Sequence, residues 1–404
     1  MECLFYGETP VIETGAARVS RAVLTAMCTA GIHPLVVGIN HYGIQWYSTH
    51  LYPYDILPVR NPTKMHNQEQ MLEELARFDG DLLFLTGDVN VLMSLVPDIV
   101  YWKERNPSGQ VWTLLALDTV VFHPGYLDIF AVSDRCFTYS EFARTAALAH
   151  RPDFQIDVIK LGSEPEHFYP LDTTERTRIR RELFHIEEDT FLVLNVNRNQ
   201  PRKDLARTLK AFQLFQAKQP NSKLYLHAKQ DDLAGHLPTQ AKMLGLQVEG
   251  PDSPLVFAGG DYEERLGVDR VMLNKIYNAA DVCVSTSWGE AWGLTTSEAM
   301  CAGTPFIGPR NSTFLELLGE HGERGLLAEC GGDDLWVLPY GHSEGPREIV
   351  SCSDMAALLT YVYSHPLEAS RMARAALAHI TAWTWTDCRD AWRTQFAELQ
   401  REEA

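Results

Sequence analysis

Between Ala280 and Gly303 the sequence reads ADVCVSTSWGEAWGLTTSEAMCAG, and few backbones accommodate it. Val282–Val284 is a short apolar run bounded by small polar residues, the pattern of a buried strand. Ser285 to Gly289 is small and polar and reads as a loop. Thr295 followed three residues later by Glu298 has the spacing of a capping box, which predicts a helix opening at Thr295. Strand, glycine-bearing loop and helix start, in that order, present backbone N–H groups and the positive end of a helix dipole to an anion. Two glutamates, Glu290 and Glu298, flank the turn with seven residues between them. On this pattern Glu298 is either a helix cap or a ligand contact.

The rest of the chain narrows the class. Its 404 residues suggest two or three domains and bury enough surface for a full core. A net charge of −18 and a pI near 5.2 oppose a stable nucleic-acid partner, which needs a basic footprint. Eight cysteines are scattered without a Cys-x-x-Cys, which reads as reduced core thiols of a cytoplasmic protein. No apolar run approaches the roughly 20 residues of a membrane span, which leaves peripheral membrane contact open. The N-terminus lacks the basic region of a secretory signal. Zinc spacing, His-Glu-x-x-His and Gly-x-Ser-x-Gly are all absent, so no metal site and no serine-hydrolase reading is expected.

Taken in order, the chain opens with a strand at Cys3–Gly7, a loop with Gly15, a helix from about Arg18 to Ala30 and a strand at Pro34–Ile39. A glycine at the first turn of such a unit lets backbone approach a ligand. Further strands are expected at Asp55–Val59, Leu82–Thr86, Val111–Ala116, Cys136–Tyr139 and Ile156–Gly162, with a helix at Gln68–Phe78. Ser163 to Pro170 carries two prolines in a polar run and reads as a linker. Beyond it come a basic helix at Glu175–Phe184, a strand at Phe191–Val196 that is apolar but for Asn195, and a helix through Leu205, Leu209 and Phe212. Strands at Lys223–Ala228, Leu255–Ala258 and Pro305–Gly308 follow, with a turn region at Glu316. Helices close the chain at Asp354–Tyr363, Glu368–Ile380 and from Trp385 onward, with Trp392, Phe396 and Leu399 as core anchors.

The central stretch resembles the donor-binding signature of the retaining glycosyltransferases of family 4. Their pattern is Glu, seven residues, Glu, with Gly-Leu inside it and Ala-Met and Gly after it. Here those are Glu290, Gly293, Leu294, Glu298, Ala299, Met300 and Gly303. Tyr277 to Asp281 also fits, and Trp292 departs from the usual Phe. Arg198 and Lys203 match the family's basic pair five positions apart, although Asn197 and Asp204 stand where glycines are usual.

The resemblance implies an α/β protein of the GT-B fold, with two Rossmann-like, doubly wound parallel-sheet domains facing across a cleft. The N-terminal, acceptor-side domain would be residues 1–165 plus a crossover helix at 386–404, and the donor domain residues 166–385. It implies a metal-independent, cofactor-free transfer of a sugar from a nucleotide-diphosphate donor to an acceptor of unknown type, with retention by same-face attack. Glu298 would bind the ribose. Glu290 would contact the sugar and its developing cationic centre. Backbone near Gly293, Leu294 and Thr295, with Arg198, Lys203 and Gly15, would hold the diphosphate. Asp118, or His123 nearby, is the expected acceptor-side residue, with helix capping as the other reading.

The loops Lys229–Asp232 and Gly259–Tyr262 would read the base. Arg202 and Lys210 are expected at the surface. Asp79-Gly80-Asp81 has the metal motif of the other large glycosyltransferase fold, but it precedes a strand and so lies at the wrong end of the sheet for a ligand. Residues 329–349 are longer than the family needs and read as an insertion. Rival readings are a sucrose- or sugar-phosphate-forming synthase, a catalytically silent nucleotide-sugar-binding subunit, and a GT-B enzyme glucosylating a modified DNA base.

Overall fold

A computed structural model describes residues 1–43, 48–60, 65–87, 89–250, 252–258, 268–337 and 346–402. Contacts divide the chain into Met1–Gly162 with Trp385–Ala404, and Ser163–Thr384.

The first unit holds β1 (Glu2–Glu8), β2 (His33–Ile39), β3 (Ile56–Leu57), β4 (Leu82–Gly87), β5 (Gln110–Leu115), β6 (Arg135–Thr138) and β7 (Ile156–Val158). They form a parallel sheet in the order β3-β2-β1-β4-β5-β6-β7. Cys3–Tyr6 and Leu82–Leu85 are buried without a break, as strands covered on both faces must be. The helix Trp385–Glu402 supplies part of that cover. Its Trp392 meets Phe84 edge-on at 5.5 Å, and its Phe396 stacks on Trp112 at 5.4 Å. Gln400 donates to the Ala30 carbonyl at 2.7 Å, which ties the helix to the end of the helix Gly15–Thr29.

Several expected boundaries shift for identifiable reasons. The first helix begins at Gly15 rather than Arg18, because the Thr14 hydroxyl accepts from the Ala17 N–H and caps it. β3 stops at Leu57 because Pro58 has no N–H to give the ladder. β7 is confined to Ile156–Val158 rather than running to Gly162. Glu316 lies inside a short helix, Phe314–Leu318, and not in a turn.

The second unit holds β8 (Phe191–Val196), β9 (Ser222–His227), β10 (Asp231–Asp232), β11 (Gly235–His236), β12 (Leu255–Phe257), β13 (Val282–Val284), β14 (Phe306–Pro309), β15 (Leu326–Ala328), β16 (Trp336–Val337) and β17 (Arg347–Glu348). Its main sheet is parallel in the order β12-β9-β8-β13-β14-β15. β16 and β17 pair antiparallel within the expected insertion, whose residues 338–345 lie outside the described set. Strand order reverses between β8 and β13. At such a switch point the two outgoing loops part and leave a crevice at the carboxyl ends. At the opposite pole Asp281 accepts from the Leu192 N–H at 2.7 Å and pairs with Arg176 and Arg180, pinning β13 to β8.

Candidate active site

The two loops that leave β8 and β13 carry the polar side chains of the crevice. After β8, Pro201 opens one turn of 3-10 helix, Pro201–Lys203. Proline suits a first helical position because its missing N–H would be unpaired there anyway. Asp204 follows at φ 48°, ψ 50°, the left-handed region, which explains why glycine would be usual at this place. After β13 comes Ser285–Gly289, in which Ser287 and Gly289 are buried.

Several hydrogen bonds join these loops. The Trp288 N–H donates to the Arg202 carbonyl at 2.9 Å. Arg202 Nη1 donates to the Gly289 carbonyl at 3.2 Å. The Thr286 hydroxyl reaches the Asp204 carbonyl at 2.8 Å. The Trp288 indole N–H donates to Asp204 Oδ2, also at 2.8 Å.

This register delivers Lys203 to Glu290. The Lys203 ammonium hydrogen-bonds Glu290 Oε1, and the Ser287 hydroxyl donates to the same oxygen at 2.7 Å. Arg202 Nη1 stands 3.5 Å from Oε2. The Lys203 and Glu290 side chains are only 12% and 10% exposed. Burial works against the Glu290 carboxylate, but Lys203, Arg202 and the bonds from Lys203 and Ser287 outweigh it and hold its pKa down at about 2. Glu290 is therefore anionic at neutral pH, able to accept hydrogen bonds and to face positive charge, but not to donate a proton. Its main chain is fixed as well: the Glu290 N–H donates to Ser312 Oγ at 3.0 Å, and the Thr313 hydroxyl donates to the Glu290 carbonyl.

Beyond Glu290 the helix runs Leu294–Cys301, one residue earlier than expected, with Gly293 as its cap at φ 90°. The capping box is not formed. Gly293 occupies the cap with a backbone angle that Thr295 could not adopt cheaply, and Thr295 becomes an ordinary first-turn residue. The first helical bond runs from the Ser297 N–H to the Gly293 carbonyl, so the N–H groups of Leu294, Thr295 and Thr296 lie ahead of it at the helix mouth. Glu298 is too far along the helix to cap it. It is buried and accepts from the Tyr277 hydroxyl at 2.9 Å.

Arg198 leaves β8 two residues after its end, is half-exposed and lies 4.0 Å from Asp232. Arg202 is exposed, as expected, and also reaches Glu290, because consecutive side chains of a 3-10 turn fan out and two of them can bracket one carboxylate. Lys210 bonds Gln213 at 2.9 Å. Gly15 is exposed at its helix start, and Asp118 is half-buried beyond β5, both in the first unit. His123 caps its own turn by accepting from the Gly125 N–H. Asp81 sits at the start of β4, where it accepts from the Glu2 N–H at 2.7 Å. Of the base-reading loops, Lys229–Asp232 runs into the β10–β11 hairpin, and Gly259–Tyr262 lies outside the described residues. Among the described residues no group of three or more His, Cys, Asp or Glu is arranged to hold a metal. Tyr277, Ser287 and Trp288 had no role from sequence. Only the Tyr277–Asp281 run hinted at one of them.

Residues 176–337 match the family model of glycosyl transferases group 1. The uncharacterized glycosyltransferase MJ1607 of Methanocaldococcus jannaschii is 26% identical over 194 residues, which take in 48% of this chain and 43% of that protein. Among solved structures, sucrose-phosphate synthase from Thermosynechococcus elongatus superposes with a TM-score of 0.71 at 19% identity, covering 99% of this chain and 98% of the other. Anabaena Alr3699/HepE, in complex with UDP and glucose, superposes at 0.67 and 16% identity over the full length of both chains. The fold is GT-B. The family match over residues 176–337 and the fold of the whole chain together support a GT-B glycosyltransferase.

Proposed function

We propose that the protein is a retaining glycosyltransferase of the family 4 type, which transfers a sugar from a nucleotide-diphosphate donor and needs no metal. The observation that carries this reading is the Lys203–Glu290–Arg202 cluster at the switch point, one loop away from an open helix N-terminus. A breaking sugar–phosphate bond creates negative charge on the diphosphate and positive charge at the sugar carbon. Lys203 and the N–H groups of Leu294, Thr295 and Thr296 suit the first, since preorganised donors stabilise charge as it develops. The Glu290 carboxylate, held in its anionic form, suits the second and accepts from sugar hydroxyls. Because it carries no proton at neutral pH, it does not serve as a general acid. Glu298, braced by Tyr277, faces the ribose hydroxyls. The HepE structure with UDP and glucose makes a uridine donor the first to try.

The test is turnover of UDP-glucose, ADP-glucose and GDP-mannose, by transfer to candidate acceptors or by slow hydrolysis, with the anomer released at early times read by proton NMR. Retention of the donor anomer is expected. An inverted product removes the retaining assignment. No turnover of any donor, with nucleotide still bound, points instead to a silent binding subunit.

A further inference from the structure

Asp204 departs from the glycine that its left-handed backbone favours, and the departure has a partner. Its Oδ2 accepts from the Trp288 indole N–H at 2.8 Å and faces Arg207 Nε at 3.2 Å, so Arg207 orients the carboxylate toward the indole. The indole has one donor and no acceptor, so this bond uses its only polar atom. Trp288 is half-buried and lines an open cleft of about 420 Å3 with Arg207, Lys210, Val337 and Ile349. Trp288 is two residues before Glu290, and Asp204 is one residue after Lys203. The indole–carboxylate bond therefore spans the same two loops as the Lys203–Glu290 contact and lies beside it in register.

We propose that Asp204 and Trp288 are a positioning pair that holds the Glu290 loop against the Lys203 turn and so sets the geometry of the charged cluster. Neither residue touches the sugar or the diphosphate. They act through the placement of Glu290 and Lys203, and the inference rests on the donor-site reading of those two. Hydrogen bonds within the backbone of the loops bring them together. The side-chain bond removes the residual freedom of the Glu290 loop, which matters because a small misplacement of a catalytic group costs rate far more than binding.

Four variants of the full-length protein separate this from a plain turn requirement, with hydrolysis or transfer of UDP-glucose, ADP-glucose and GDP-mannose as the assay. Asp204→Gly keeps the left-handed backbone and removes the acceptor. Asp204→Asn keeps both, because its amide oxygen accepts from the indole and asparagine tolerates the conformation. Trp288→Phe keeps an aromatic ring and removes the donor. Glu290→Gln reports on the reading itself.

Asp204→Gly and Trp288→Phe are each expected to lower kcat about tenfold, the scale of one hydrogen bond to a charged group. The donor KM should move by less than about threefold. The double variant should be no worse than either single one, because both remove the same bond. Asp204→Asn should stay within about threefold of wild type. Wild-type kcat in Asp204→Gly, an additive double variant, or an Asp204→Asn loss equal to that of Asp204→Gly overturns the pair. Wild-type activity in Glu290→Gln, or no turnover by the wild-type protein, overturns the donor-site reading instead.

Discussion

Lys203 and Arg202 are neighbours in sequence, yet they meet Glu290 on different terms. Lys203 is nearly buried and bonds one carboxylate oxygen, whereas Arg202 is 45% exposed and stands off the other at 3.5 Å. If the diphosphate draws the Lys203 ammonium, that charge stabilises the transition state more than the bound donor. Lys203→Ala should then lower kcat by about 10²–10³, the usual cost of one preorganised donor, with a much smaller rise in donor KM. Arg202→Ala should cost less, since water screens an exposed guanidinium. Lys218→Ala, exposed at the end of the helix Leu205–Gln216 region, is the control. Steady-state kinetics on the three variants decides it, and Lys203→Ala with normal kcat would remove Lys203 from the reaction.

Glu298 offers a sharper test now that Gly293 holds the helix cap. Glu298→Gln should weaken nucleotide and nucleotide sugar alike by about tenfold, the worth of one hydrogen bond to a charged group. The melting temperature should stay near wild type, because the amide can still accept from Tyr277. Titration calorimetry beside a melt checks both, and a lower melting temperature with unchanged nucleotide affinity would return Glu298 to a purely structural role.

At the level of elements, the second sheet carries a buried titrating group at the carboxyl end of β9. His227 is 6% exposed, its Nδ1 lies 3.0 Å from the Tyr225 hydroxyl, and burial depresses its pKa from 6.5 to about 4. The unfolded chain therefore takes up a proton that the folded one refuses. His227 leaves the native state fully favoured above about pH 6.5, and that advantage is lost as pH falls toward 4. The loss is on the order of 3 kcal/mol over the window, by proton linkage. Urea unfolding at pH 7 and pH 5 should show a drop that His227→Gln reduces, and an identical pH slope in the variant would mean that His227 takes up its proton equally in the folded and unfolded chain. Glu290 behaves in the same sense lower down. Its contribution is present above its ordinary value of 4.5 and disappears as pH falls through about 2. Any acid limb of activity found between pH 5 and 7 should therefore not belong to Glu290.

For the molecule as a whole, the arrangement of cations and helix N–H groups leads to one expectation about metals: transfer should survive EDTA unchanged. Activity abolished by EDTA and restored by manganese or magnesium would overturn it and bring Asp79 and Asp81 back into consideration. The architecture behind that expectation was largely legible in the amino-acid order. Unbroken apolar runs such as Phe191–Leu194 and Val282–Val284 permit only strands covered on both faces. The strand, loop and helix succession around them permits only a parallel, doubly wound sheet with its ligand loops at one pole. Those are local consequences of residue type and period, whereas Glu290, Glu298 and Lys203 could be named because their spacing resembles the family's donor-binding signature.

Which side chains meet was not legible, because it depends on segments about 80 residues apart arriving in one register. Arg202 reaches Glu290 across 88 positions of sequence, Trp288 reaches Asp204 across 84, and Tyr277 reaches Glu298 from a different helix. The helix start moved from Thr295 to Leu294 for a related reason: Gly293 takes the left-handed cap, a backbone choice that competes with the local capping pattern and wins. Residue types and their spacing determined the sheets, and the resemblance they carry named the candidate groups. Only the packing of β8 against β13 decided which charges share a carboxylate, since a through-space contact between two loops has no period for a sequence to display.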